Sequence, residues 1–233
     1  DADTRGPAEL QPSARTWNAG LFVFEDVDLD PLTLSFGGRL DVRDVEAVPN
    51  DRTTDSDLLE NTYTTFSGSA GANYALGNGM ALATNLSAGF RAPSVFELYA
   101  NGVHGGVAAF QRGDPSLDPE RAYSADLSLR VRRDRVTAEV TGYVNAINDY
   151  IYLRNTGDTQ NPDGTGLPIF EAGQTDAVIS GLEATLETSV QPWLQVGGST
   201  AILGGTGDNL GASGGDGDLP LLPSNTVSGF ARW

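Results

Sequence analysis

The chain has no cysteine among its 233 residues, which excludes both a disulfide framework and a thiolate metal site. It has one histidine, His104, so no pair of imidazoles stands at metal-ligand spacing. His104 also lacks the nucleophile-elbow context that would make it the base of a hydrolase. No apolar run approaches the ~18 residues of a membrane helix, which excludes helical spanning. Basic residues are scarce: 14 Lys and Arg stand against 31 Asp and Glu, a formal charge of −17. Nucleic acid is therefore not expected as a partner, because phosphate contacts need clustered cations. The glycine-rich phrase GGTGDNLGASGG has no lysine and no helical pattern behind it, so it is not a phosphate loop. The opening DADTRGPAEL lacks a charged-then-apolar leader, and any signal peptide is expected to be gone already or to lie upstream. Apolar residues reach only 39%, yet the 29 glycines lift that share to the range of folded proteins.

What the chain does have is period-two alternation. Strand-like runs lie at Thr16–Val27, Leu32–Val45, Thr62–Leu76 and Met80–Phe90. On the last of these Leu82, Leu86, Ala88 and Phe90 share one face, and Ala83, Asn85 and Ser87 the other. Tyr123–Val131 alternates in the same way, as do Val136–Val144, Val178–Val190 and Trp193–Leu203, and a final run starts at Ser224. Asp126, Glu139, Glu183 and Glu187 sit mid-strand, opposite clean apolar faces.

The connections alternate as well. Asp28–Pro31, Gly77-Asn78-Gly79, Arg132–Arg135 and Gln191-Pro192 are short turns. Between them lie long polar stretches at Glu46–Asn61, Gly89–Glu120, Ile147–Ala177 and Gly204–Pro223, the third with a short strand expected at Tyr150–Leu153. Short turns on one side and long loops on the other form the layout of an outer-membrane barrel. The strands suit it, since a tilted strand crosses a bilayer in ~9–11 residues, against ~5–6 in soluble sheets. Aromatics near strand ends (Trp17, Tyr63, Phe90, Tyr123, Tyr143, Trp193, Trp233) are expected to form interfacial girdles. The fold expected is all-β, an antiparallel transmembrane β-barrel in contact with outer-membrane lipid. A soluble extracellular β-sandwich that binds a ligand is the alternative that alternation by itself leaves open.

The string GFRAPSVFELYANGVHGG…FQRGDPSLDPERAYSADLSLR resembles the barrel of TonB-dependent outer-membrane receptors. Their FRAPS-like and ELYA-like segments precede a loop, and a G[DN]P-L-PE segment opens the next strand. TWNAGLFVFEDVDLDPLTLSFGGRLDVRDVEA is similar to an earlier hairpin of the family, and TDAVISGLEATLE to a later strand. The form ELYANGVHGG…F is similar to a subset that includes zinc- and haem-type receptors. The resemblance implies part of a barrel of about 22 strands with a plugged lumen. It divides the chain into a loop at residues 1–15 and a partial outer-membrane β-barrel domain at 16–233, the plug domain and closing strands lying outside it. It also implies TonB-coupled uptake of a scarce solute: a metal chelate such as a siderophore, haem or a metal ion. The expected place is the outer membrane of a Gram-negative bacterium. TonB would act through the missing plug, and no resident cofactor is expected.

Within the long central loop Glu97, His104, Arg112 and Asp114 are the candidate ligand-binding residues, because imidazole with carboxylates is a reasonable set for zinc or iron. An exposed loop histidine is the plainer reading. Asp208, Asp216 and Asp218 could offer oxygen ligands to calcium, or simply be solvated. Arg91 and Pro93 are expected at the barrel rim, and Glu120 and Arg121 at a structural strand start. No catalytic residue is expected, although barrel enzymes with chemistry at the rim exist.

Overall fold

Alternation sorts side chains to two faces only if neighbouring strands keep register, and here they do. The computed structural model describes residues 10–48, 60–161, 166–210 and 216–233. Its wall strands are β1 (Ala14–Asp28), β2 (Leu32–Ala47), β3 (Glu60–Gly77) and β4 (Met80–Arg91). A short helix α1 (Val95–Tyr99) and a small hairpin, β5 (Asn101–His104) and β6 (Ala109–Arg112), follow. The wall then resumes with β7 (Glu120–Arg133), β8 (Val136–Gln160), β9 (Leu167–Gln191) and β10 (Leu194–Gly207). Two-residue β11 (Gly217–Asp218) and β12 (Thr226–Arg232) both pair with β10. Every wall pairing is antiparallel between sequence neighbours along the path β1-β2-β3-β4-β7-β8-β9-β10, and β12 continues it. That is a single curved sheet, not two packed ones, so the sandwich alternative is not the structure.

One face of the sheet carries a broad apolar band, with few polar residues such as Thr200 in it. A row across six strands runs Leu82, Leu129, Val140, Ala184, Thr200 and Val227, each paired with the next. On the first strands Leu21 pairs Leu40, which pairs Phe66. Phe66 is 70% exposed, Leu86 58% and Val227 86%, a cost in water that contact with lipid removes. Trp17, Phe90 and Tyr123 stand on this face near its outer end, as a girdle requires.

The opposite face is polar. Asn85, Asp126 and Tyr143 form one row across β4, β7 and β8. Ser124 donates to Asn145 at 2.9 Å, Ser128 and Thr141 share a hydrogen bond of 2.7 Å, and Arg130 pairs with Glu139 at 2.9 Å. The mid-strand acids therefore face the lumen. Tyr63 and Tyr143 depart from the expected girdle, because register puts both on this inner face. Tyr143 lies over Gly181, where any Cβ would strike its ring. Phe22 and Phe24 are apolar exceptions inside.

The short turns lie at one end. Gly77, Asn78 and Gly79 all have positive φ, at 81°, 52° and 72°. A Cβ on Gly79 would collide with the Arg132 carbonyl, so this turn needs glycine twice over. The long connections lie at the other end, and one differs from the sequence reading. Residues 147–160 and 167–177, expected as parts of a loop with a short strand, are instead the paired extensions of β8 and β9, up to Gln160 and Leu167. Tyr150–Leu153 and Ile169–Phe170 supply β-forming side chains. The breakers are absorbed in irregularities after Ile147 and Asn155, where Asp149 (φ 59°) and Gly157 (φ 81°) sit. β1 opens at Ala14, while residues 1–9 and most of the 46–61 connection lie outside the described residues.

Candidate functional site

The outer end of the lumen is where the chain packs. Ala14, Val45 and Ala47 carry the inner face of β1 and β2 past the polar band, and Leu98 and Tyr99 of α1 seal against them. Leu117, Ile151 and Ala172 complete this cluster, in which Leu98 and Val45 are fully buried. The 92–119 connection thus folds inward, over the lumen.

Arg91 fixes it there. It ends β4 on the inner face, opposite Glu120 at the start of β7. Its Nε and Nη2 donate to the two Glu120 carboxylate oxygens at 2.7 Å each. Its Nη1 donates to both oxygens of Glu97 at 2.9 Å. Glu120 Oε1 also accepts the Ile151 N–H at 2.7 Å. One guanidinium therefore ties β4, β7, β8 and α1 together, with the bidentate geometry that suits arginine. Ser94 and Glu97 form a reciprocal capping box on α1, Glu97 Oε2 accepting the Ser94 N–H at 2.7 Å and Ser94 Oγ accepting the Glu97 N–H at 3.2 Å. Burial pushes the Glu97 carboxyl up, but the hydrogen bonds from Arg91 and Ser94 outweigh it, and the group lies below its ordinary range. The Arg91 guanidinium is raised, first by its hydrogen bonds to Glu120 and against burial. Burial raises the Tyr99 phenol, and a 2.7 Å hydrogen bond from Asn61 partly offsets this.

Hairpin β5–β6 extends the rim. β6 pairs parallel with β9 at Phe110–Arg112, on the edge that β10 leaves free beyond Gly207. Between α1, this hairpin, the β8–β9 extension and residues Pro220–Leu221 lies a cleft of about 550 Å³. Its walls carry the rings of Phe96, Tyr150, Tyr152 and Phe170, with Glu97 the one charged group among the described residues and Gln111 among the polar ones.

The four residues singled out in the loop fare differently. Glu97 is on the cleft wall. Asp114 sits beside it in the backbone, its N–H donating to the Glu97 carbonyl at 2.8 Å, while its carboxylate accepts from Ser116 N and Oγ at 2.8 and 2.6 Å. Arg112 donates to Glu171 at 2.5 Å, and Arg154 reaches the same carboxylate at 3.4 Å. His104 stands at the far end of β5, its Nδ1 buried without a hydrogen-bond partner. The structure does not gather these four into one ligand set. Among the described residues no group of three or more His, Asp or Glu could hold a metal ion, which applies to Asp208, Asp216 and Asp218 too. The cleft's rings and Gln111 escaped sequence reading. Their one visible signal was the apolar Tyr150–Leu153 run.

The comparisons agree with this geometry. The model of the family described as TonB dependent receptor-like, beta-barrel, matches residues 1–233. Among solved structures the chain is similar to the copper transporter OprC (22% identity, TM-score 0.75, 94% of this chain and 32% of that one). It is also similar to a double mutant of the hemophore receptor HasR of Serratia marcescens, solved with its hemophore HasA and heme (18%, 0.71, 98% and 43%). A third is the FrpB iron transporter of Neisseria meningitidis (14%, 0.60, 84% and 27%). The chain thus spans less than half the length of each of these, and at such identities they show its fold. The family match runs over the whole chain, and it settles membership: this chain belongs to the TonB-dependent receptor β-barrels, outer-membrane receptors of Gram-negative bacteria and not enzymes.

Proposed function

We propose that residues 16–233 form part of the barrel domain of a receptor that imports a scarce solute, coupled to TonB through a plug that the rest of the receptor would supply. The solute class is a metal chelate such as a siderophore, haem or a metal ion. The observation that carries this reading is the aromatic cleft on the luminal side of the outer rim, held in shape by the Arg91 clamp. Its size falls within the ~300–1,000 Å³ of small-molecule sites. Ligand would be captured there, and the polar inner strand faces would line its way down. The copper, iron and heme named for the similar structures are in keeping with such cargo. Of the loop residues read from the sequence, Glu97 is carried forward as a cleft-wall contact that Arg91 and Ser94 also hold, and His104 for its unpartnered Nδ1; Arg112 and Asp114 are taken up by Glu171 and Ser116 outside the cleft lining.

The test is uptake by cells grown under metal limitation and offered haem, ferric siderophores or zinc one at a time. Deleting the receptor, or dissipating the proton gradient, should abolish accumulation of one of them. Uptake that survives both treatments for all three would overturn the reading.

A further inference from the structure

The receptor reading leaves open what kind of solute the cleft accepts, and the inference here rests on that reading. We propose that the cleft selects an uncharged or cationic solute with a flat apolar face, anchored through an N–H or O–H on the Gln111 carboxamide, and rejects anionic ligands.

Three observations carry this. First, four rings line the cleft, and among the described residues no arginine or lysine lines it. An anion desolvated without a cationic partner is strongly penalised, whereas a cation over ring faces is attracted to them. Second, each nearby cation among the described residues has a carboxylate partner. Arg91 faces Glu97 and Glu120, one positive against two negative charges, and Arg112 and Arg154 share Glu171, two positive against one, both outside the lining. The two clusters balance, so neither offers an anion an uncompensated cation, and the chain's net charge of −17 sets a field that draws cations and turns anions away. Third, Gln111 lines the cleft at 6% exposure, and its Oε1 has no hydrogen-bond partner. A buried amide oxygen without a partner carries a desolvation penalty that a donor on the bound solute would recover.

Three planar fluorescent probes test this on the full-length receptor in phosphatidylcholine vesicles, read by anisotropy against protein-free vesicles. Proflavine is a cation with two amino donors; acridine orange has the same ring system with those donors methylated; 1-pyrenesulfonate is a flat anion. Proflavine should bind at least about tenfold more tightly than 1-pyrenesulfonate. Acridine orange should fall several-fold below proflavine. Tyr152→Ala and Gln111→Leu should each weaken proflavine binding, with the faster gel migration of the unheated barrel retained as the sign of folding. Gln111→Leu should also erase the difference between the two acridines. Equal or tighter binding of the anion would overturn the proposal. So would a folded receptor that binds no probe, or proflavine binding that neither variant weakens. None of these outcomes touches the receptor reading, which stands or falls on uptake.

Discussion

Arg91 shows how much of the outer rim hangs on one side chain. Arg91→Ala would leave Glu120, 8% exposed, with the Ile151 N–H and no cation. Breaking a fully buried pair costs ~3–5 kcal/mol, but Arg91 is 45% exposed, so a loss of about 2 kcal/mol is expected. Urea titration of the folded barrel measures it. Glu97 gives the same contact a pH signature. Its folded pKa lies below the ordinary 4.5, so its stabilisation is complete above that value and is lost as pH falls through the folded one. Melting temperature should hold level from neutral pH to about 4.5 and then drop. Glu97→Gln should flatten the drop, and an unchanged acid limb would rule Glu97 out as its source. Gly113 is the other fixed point, for its backbone passes so close to α1 that a Cβ would come within 2.6 Å of the Leu98 carbonyl carbon and the Tyr99 nitrogen. Gly113→Ala should therefore cost ~1–3 kcal/mol and loosen α1, visible as faster amide exchange at Leu98.

At the scale of the element, a strand's two faces are adjacent residues in different solvents. Leu86 faces lipid and Asn85 the lumen, each midway along β4. Leu86→Arg should lower barrel stability by ~2–4 kcal/mol, while Asn85→Arg, next to Asp126 across the β4–β7 pair, should leave it nearly unchanged. Equal losses would mean that the faces have been assigned wrongly. This two-solvent rule is also why the wall was legible from the residues. Each strand repeats Leu-polar-Leu or its like, and the Gly77-Asn78-Gly79 turn announces its own geometry. The rim was not legible for a physical reason. The β8–β9 extension stands above the bilayer, where neither face meets lipid and alternation fades into Asn, Asp and Gly. The free edge of its β9 strand takes β6 as a further partner, some sixty residues distant by register (Arg112 beside Glu171), and no local pattern encodes that. Arg91 and Glu120 were placed correctly as rim and strand start, but their union needed the register of β4 on β7. Gln111 gave no sign at all, since a glutamine becomes informative only once it is buried without a partner.

The whole sheet has an edge at each side: β1 pairs only with β2, and β12 only with β10, among the described residues. Both edges border the apolar band, so in a membrane their free N–H and C=O groups would face hydrocarbon, at several kcal/mol for each unsatisfied group. Along β1 alone about every second of its 15 residues would turn its N–H and C=O to the free edge, a cost far beyond what any loop cluster could offset. Further strands are therefore expected to complete the cylinder in the working receptor. Protein extracted from outer membranes should require detergent, run far above 24.5 kDa, and migrate faster unheated than boiled, as closed barrels do. The 233-residue chain produced alone should show no such shift and should aggregate through its open edges. A stable, detergent-free 24.5 kDa monomer would mean that the apolar band is covered by something other than lipid, and the arrangement of the strands would have to be argued afresh.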